Sequence, residues 1–155
     1  MRNQFAAGKD RQKDKYYKLM NSLTEKERHV IDYLPMDVPK DAAETFSDVE
    51  YYLLNSEKKM ALKDRFEAVI YKLMCFYKLC ILWGEWEECP KPERIDEILY
   101  EIMGNYSGTL NFLFPDINML IVCSWDALNM EVYNPSKSLQ IILKKVAASE
   151  GLFFR

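Results

Sequence analysis

The chain has 155 residues, the length of one ordinary domain and too little for two with separate full-sized cores, so residues 1–155 are read as a single domain. Apolar and aromatic residues make up 49% and charged residues 29%, with only 5 Gly and 6 Pro, which excludes collagen-like, low-complexity and wholly disordered chains. The net charge of −3 and pI near 5.3 exclude a protein built as a whole to neutralise phosphates.

The first half reads as helices. Tyr16, Tyr17, Leu19, Met20 and Leu23 form the apolar group of a first helix over residues 9–22. Thr24-Glu25-Lys26-Glu27 has capping-box spacing and predicts a short second helix through Val30, Ile31 and Leu34, stopped by Pro35. After Pro39 a further helix starts at Asp41 or Ser47, each followed three residues later by a glutamate, and ends near Leu54, with Val49, Tyr52 and Leu53 on one face. From Glu57 to Trp83 no Gly or Pro intervenes, and Leu62, Phe66, Val69, Ile70, Leu73, Tyr77, Cys80 and Ile81 recur at three- and four-residue steps. This predicts one long central helix of roughly 40 Å, wrapped by the rest of the domain where it becomes apolar all round. Its most apolar stretch, Val69 to Trp83, carries Lys72 and Lys78 and is too short and too charged to cross a bilayer. Glu93 to Met103 is an amphipathic helix with Ile95, Ile98, Leu99 and Ile102 inward and Gly104 as its stop.

The period then changes. Thr109–Phe114, Asn118–Trp125 and Met130–Tyr133 are rich in β-branched and aromatic residues and are separated by turn-forming clusters, which predicts three antiparallel strands. A helix through Leu139, Ile142, Leu143 and Val146 follows, and Leu152-Phe153-Phe154 reads as a last strand. The expected fold is therefore α+β: a helical N-terminal two-thirds with a long central helix, then a small antiparallel sheet of three to four strands and a C-terminal helix.

The chemistry-bearing residues are sparse. The only imidazole, His29, lies among charges, and no GxSxG, HExxH, GxxxxGK[ST] or GxGxxG occurs. Cys75, Cys80 and Cys123 sit in apolar runs and read as core thiols, while Cys89, between Glu88 and Pro90, reads as exposed; no spacing supplies a zinc site. The opening residues lack a secretory apolar stretch, which points to the cytoplasm and to free thiols. No cofactor, no metal, no membrane and no nucleic acid is expected, and the pattern points away from an enzyme.

Charge is distributed unevenly. Residues 1–20 carry six basic and two acidic side chains, whereas Gly84–Asn105 carries seven acidic and two basic. Lys9, Arg11, Lys13, Lys15 and Lys18 beside Tyr16 and Tyr17 suit either a solvated helix start or a nucleic-acid contact. In the acidic region Glu93, Glu97 and Glu101 follow one another at four-residue steps with Asp96 adjacent. Like charges so placed cost a few tenths of a kcal/mol per pair in the free protein. Just before them, Glu85, Glu87 and Glu88 surround Trp86. These eight residues form the candidate partner-binding surface for a basic protein, with Trp86 either its aromatic anchor or a ring tucked inward beneath a solubilising face. Convergence of Glu85, Glu87 and Glu88 in one pocket would instead suit a small carboxylate-dependent enzyme.

The segment Asp116–Arg155 resembles the C-terminal part of small bacterial immunity proteins, which neutralise toxin domains of contact-dependent and polymorphic toxin systems. The residues that carry the resemblance are the strand Met119 to Trp125, the turn before Asn129-Met130, the strand exit Val132-Tyr133-Asn134-Pro135, and Ser149-Glu150-Gly151-Leu152-Phe153. It covers about a quarter of the chain and brings no catalytic residues. It implies an intracellular binding protein whose partner is a cognate toxin, often a nuclease with a basic surface.

Overall fold

The computed structural model describes residues 2–126 and 128–155. Twelve elements follow in chain order: α1 Arg2–Leu23, β1 Arg28–Asp32, α2 Ala43–Leu54, α3 Lys58–Met74, β2 Cys80–Trp83, β3 Glu85–Glu88, α4 Pro92–Asn105, β4 Thr109–Phe114, β5 Met119–Ser124, β6 Asn129–Tyr133, α5 Lys137–Ser149 and β7 Phe153–Phe154. The strands form one antiparallel sheet in the order β3-β2-β4-β5-β6-β1-β7. Seven strands replace the expected three to four, and three of them lie in the part of the chain read as helical.

Each correction has a local reason. The segment expected as a second short helix is β1: Val30 and Ile31 are β-branched, and the strand pairs with β6 (Ile31 opposite Met130) and with β7 (Ile31 opposite Phe154). The long central helix ends at Met74, nine residues before Trp83, and the chain turns through Cys75–Leu79 into β2. Strand β2 has neighbours on both edges and apolar layers on both faces, so Cys80-Ile81-Leu82-Trp83 shows no polar alternation and reads like the continuation of a buried helix. Gly84, at φ +71°, turns β2 into β3, and Glu85–Glu88 is an edge strand paired Leu82 to Trp86. Helix α1 begins earlier than expected, at Arg2, and the turn Asp126–Asn129 includes Ala127, which lies outside the described residues.

Strand alternation sorts the core into two layers. On one face Phe112 and Phe114 of β4, Met119 and Ile121 of β5 and Val132 of β6 pack against Val69, Ile70 and Leu73 of α3, Ile95, Ile98 and Ile102 of α4, and Leu139 and Leu143 of α5. On the other face Leu113 and Leu120 lie with Cys80 and Trp86 under α1, whose Tyr16, Leu19, Met20 and Leu23 follow helical spacing. Gly108 is required at its position: its φ is +106°, and a Cβ there would come within 2.9 Å of the Trp83 ring. Ser136 caps α5 by accepting from the Leu139 N–H at 3.3 Å. Among the described residues no helix is long and apolar enough to cross a membrane.

Candidate functional site

Helix α4 starts with Pro92 at its first turn and buries Ile95, Ile98, Leu99, Ile102 and Met103 against the sheet and α3. The same spacing turns Glu93, Glu97, Tyr100 and Glu101 outward, and all four are exposed. Tyr100, 65% exposed, stands inside the acidic ridge. Its ring lies off the apolar stripe, and that is the sequence signal by which it could have been found.

The other predicted residues are already engaged. Trp86 is only 7% exposed, tucked beneath α1 with its ring centroid 5.5 Å from that of Tyr16 and 5.4 Å from that of Tyr17, so the inward alternative describes it. Glu87 accepts a forked pair of hydrogen bonds from Arg94 Nε and Nη2, at 3.1 and 2.9 Å. Glu88 accepts from the Tyr16 hydroxyl at 2.5 Å, and Glu85 stands 3.6 Å from Lys13. Alternation along β3 places Glu87 and Glu88 on opposite faces of the sheet, so the three glutamates do not converge in one pocket. Asp96 accepts from Lys63 Nζ at 2.7 Å. Of the eight residues, Glu93, Glu97 and Glu101 remain as a solvent-facing row, with Arg94 Nη1 3.8 Å from Glu97 as a counter-charge.

Next to the C-terminal end of α4 lies an open groove of about 620 Å³, lined by Asn55 and Glu57 from the α2–α3 junction, Lys59 and Met60 of α3, and Tyr100 and Tyr106. Lys59 is fixed across it, its ammonium 4.2 Å from the Tyr106 ring centre and 3.0 Å from the Met103 carbonyl oxygen. The groove ends at Asn55, just after α2, a helix of which none of the twelve residues is buried. Tyr51 and Tyr52 on α2 are strongly exposed, and its only charged side chains, Glu44, Asp48 and Glu50, are acidic.

Between α3 and α4 lies a buried ionic cluster that the sequence hides as ordinary helix charge. Lys63 and Glu67 are 4% and 3% exposed; Lys63 Nζ lies 3.2 Å from Glu67, 2.7 Å from Asp96 and 3.5 Å from Asp64. Tyr71 donates its hydroxyl to Glu67 and approaches the Pro92 carbonyl oxygen at 3.1 Å. Burial acts to lower the Lys63 ammonium, but its hydrogen bonds to Asp96 and Glu67 outweigh that and raise it. Burial pushes Glu67 up, more than Tyr71 and Lys63 pull it down, while the hydrogen bond from Lys63 holds Asp96 low. The oxygens of Asp64, Glu67 and Asp96 lie close enough together to hold a cation, and Lys63 supplies that charge from within the chain.

The thiols divide differently from their sequence reading. Cys80 and Cys123 are buried, whereas Cys75 lies in the exposed turn after α3, its Sγ 3.4 Å from the Tyr71 carbonyl oxygen, and Cys89 is exposed. Burial pushes the Cys123 thiol up to about 12.

Compared with protein-family models, curated proteins and solved structures, the chain matches none of them.

Proposed function

We propose that the protein is an inhibitor of the immunity type, which binds and neutralises a basic toxin domain, such as a nuclease, in the bacterial cytoplasm. One observation carries the reading: Glu93, Glu97 and Glu101 form an exposed row on a helix whose other face is buried, with the exposed ring of Tyr100 inside the row. Repulsion along such a row costs stability in the free chain and is relieved when a cationic surface covers it. Tyrosine suits the desolvated centre of an interface because it buries a large, stiff ring and keeps a polar tip. Trp86, beneath α1, leaves the anchor role to Tyr100. The resemblance of residues 116–155 to immunity proteins supports the same reading.

The test is association kinetics against the product of the neighbouring gene, followed over a range of salt. Binding should be fast and should weaken as salt rises, because exposed charges are screened within about 8–10 Å at physiological ionic strength. Glu97→Lys with Glu101→Lys should mainly lower the on-rate. Tyr100→Ala should speed dissociation and cost about 2 kcal/mol. If the charge reversals leave both binding and its salt dependence unchanged in a folded protein, the α4 surface is not the interface. If the neighbouring product does not bind at all, the inhibitor reading falls.

A further inference from the structure

The layer of three helices carries opposite charges at its two flanks. Helix α3 stands in the middle: Lys63 Nζ is 2.7 Å from Asp96 of α4 on one side, and on the other Lys72 donates to the Ser149 hydroxyl of α5 at 2.7 Å and lies 2.6 Å from Glu150. On the α4 flank Glu93, Glu97, Tyr100 and Glu101 are exposed. Helix α5 presents the opposite sign. It buries Leu139, Leu143 and Ala147, and the same spacing turns Lys137, Ile141, Lys144 and Lys145 outward, all four exposed.

Nothing within the chain answers the α5 lysines. The helix contains no acidic residue, and among the described residues Lys137, Lys144 and Lys145 have no carboxylate within salt-bridge distance. Lys137 also stands in the first turn, where the helix field disfavours a cation. Among these charges Ile141 is 60% exposed, an apolar side chain left in water as Tyr100 is on α4. The two faces follow the same steps: Lys137, Ile141, Lys144 and Lys145 are spaced as Glu93, Glu97, Tyr100 and Glu101 are.

These faces cannot meet within one chain. Packed helices lie about 8–10 Å apart, so α3 holds α4 and α5 roughly 16–20 Å from each other. A second copy supplies both signs at once. Turned about a two-fold axis along α3, it lays its α5 on the first copy's α4 and its α4 on the first copy's α5, and the contact closes on itself. The other basic stretch, on α1, lies on the opposite face of the sheet and is interleaved with Asp10 and Asp14, so it offers no such match.

We propose that the protein forms a two-fold symmetric dimer through this layer, with Lys137, Lys144 and Lys145 of each copy against Glu93, Glu97 and Glu101 of the other, and with Ile141 and Tyr100 covered by the contact. The dimer covers the row assigned above to the toxin, so the two contacts exclude each other, but it does not rest on the inhibitor reading.

The test is sedimentation velocity of the full chain alone, over a range of protein concentration at low and at high salt. The native chain should be dimeric at low salt and dissociate as salt rises, because the paired charges are screened. Lys144→Glu with Lys145→Glu, and separately Glu97→Lys with Glu101→Lys, should each lower the dimer affinity by about tenfold or more. Glutamate and lysine are comparable helix formers, so both variants keep their helices, and circular dichroism checks this. Mixing the two variants should restore a dimer, since the reversed α5 of one then meets the reversed α4 of the other. A native chain that stays monomeric up to about 1 mM at low salt overturns the dimer and leaves the α5 lysines to an anionic partner. A dimer that neither reversal weakens, or a mixture that stays monomeric, overturns the pairing of α4 with α5. No toxin enters the experiment, so its failure leaves the inhibitor reading standing.

Discussion

The two faces of the sheet are built from alternate residues of the same strands, yet they are finished in different ways. Toward α3, α4 and α5 the strands present Phe112, Phe114, Met119 and Ile121 to three helices, and the layer is closed by a fully paired ionic cluster at its rim. Toward α1 they present Leu113 and Leu120 to a single helix, and that layer opens into a cavity. Beyond α1 the same face is polar and uncovered, with Arg28 3.4 Å from Glu131 across β1 and β6. One face is closed by three helices, and the other, under a single helix, keeps an open cavity.

Lys63→Ala is expected to have the largest effect, because it leaves Glu67 buried without its cation and returns Asp96 to water. Removing one partner of a buried ion pair costs about 3–5 kcal/mol, and urea titration should show a loss of that order. Restoring much of that stability with Lys63→Met plus Glu67→Leu would show that pairing, more than charge itself, is what the layer needs. A loss below about 1 kcal/mol would mean that water already reaches the cluster.

Ile121 and Leu120 are neighbours on β5, both fully buried, and they face opposite layers. Ile121→Ala should cost about 3–5 kcal/mol, since three packed helices cannot close the void. Leu120→Ala should cost nearer about 2–3 kcal/mol, because α1 alone can settle toward the sheet. Equal losses in parallel denaturant titrations would remove the distinction between the layers.

The thiols sharpen the same contrast kinetically. Cys75 and Cys89 should react quickly with a thiol reagent in the native protein, Cys80 more slowly, and Cys123 slowest. Cys80 lies under α1, where opening one helix suffices, whereas Cys123 belongs to the three-helix layer. Labelling Cys123 before Cys80, followed by mass spectrometry of digested protein, would reverse the assignment of the looser face.

The sequence pattern made the second half of the chain largely legible because turn-forming clusters punctuate short runs rich in β-branched and aromatic residues: β4, β5, β6 and α5 fall within a residue or two of their expected positions. It failed where burial on two sides erases periodicity, as in Cys80–Trp83, and where a strand is too short to show a period, as in Glu85–Glu88. Val30 and Ile31 fit a helix turn and a strand equally well; pairing with β6 and β7, distant in sequence, decides for the strand. Of the candidate surface, the spacing of Glu93, Glu97 and Glu101 was readable because it depends on one helix alone. The partners of Asp96, Glu87 and Glu88 were not, since Lys63, Arg94 and Tyr16 reach them only through the fold.

The smallest expected effect concerns the end of the sheet beside β1, where a cleft collects Asp32, Tyr33, Asp37, Glu50 and Arg155. Arg155 donates to Asp32 at 2.6 Å and also to Asp37, so its charge is spent on those two and Glu50 is left without a cation. Burial raises the Glu50 carboxyl above its ordinary value, and the charges of Asp126 and Asp32 add to the rise. A carboxyl raised in the folded state favours folding while it holds its proton. That contribution is complete below the ordinary glutamate value of 4.5 and is lost as pH climbs through the raised one. Glu50→Gln should therefore stabilise the protein at pH 7 by about 0.5 kcal/mol and leave it nearly unchanged near pH 4, read from thermal or urea midpoints at the two pH values. If the variant is less stable at pH 7, Glu50 is held by a counter-charge in solution, and this end of the sheet is paired as the Lys63 cluster is.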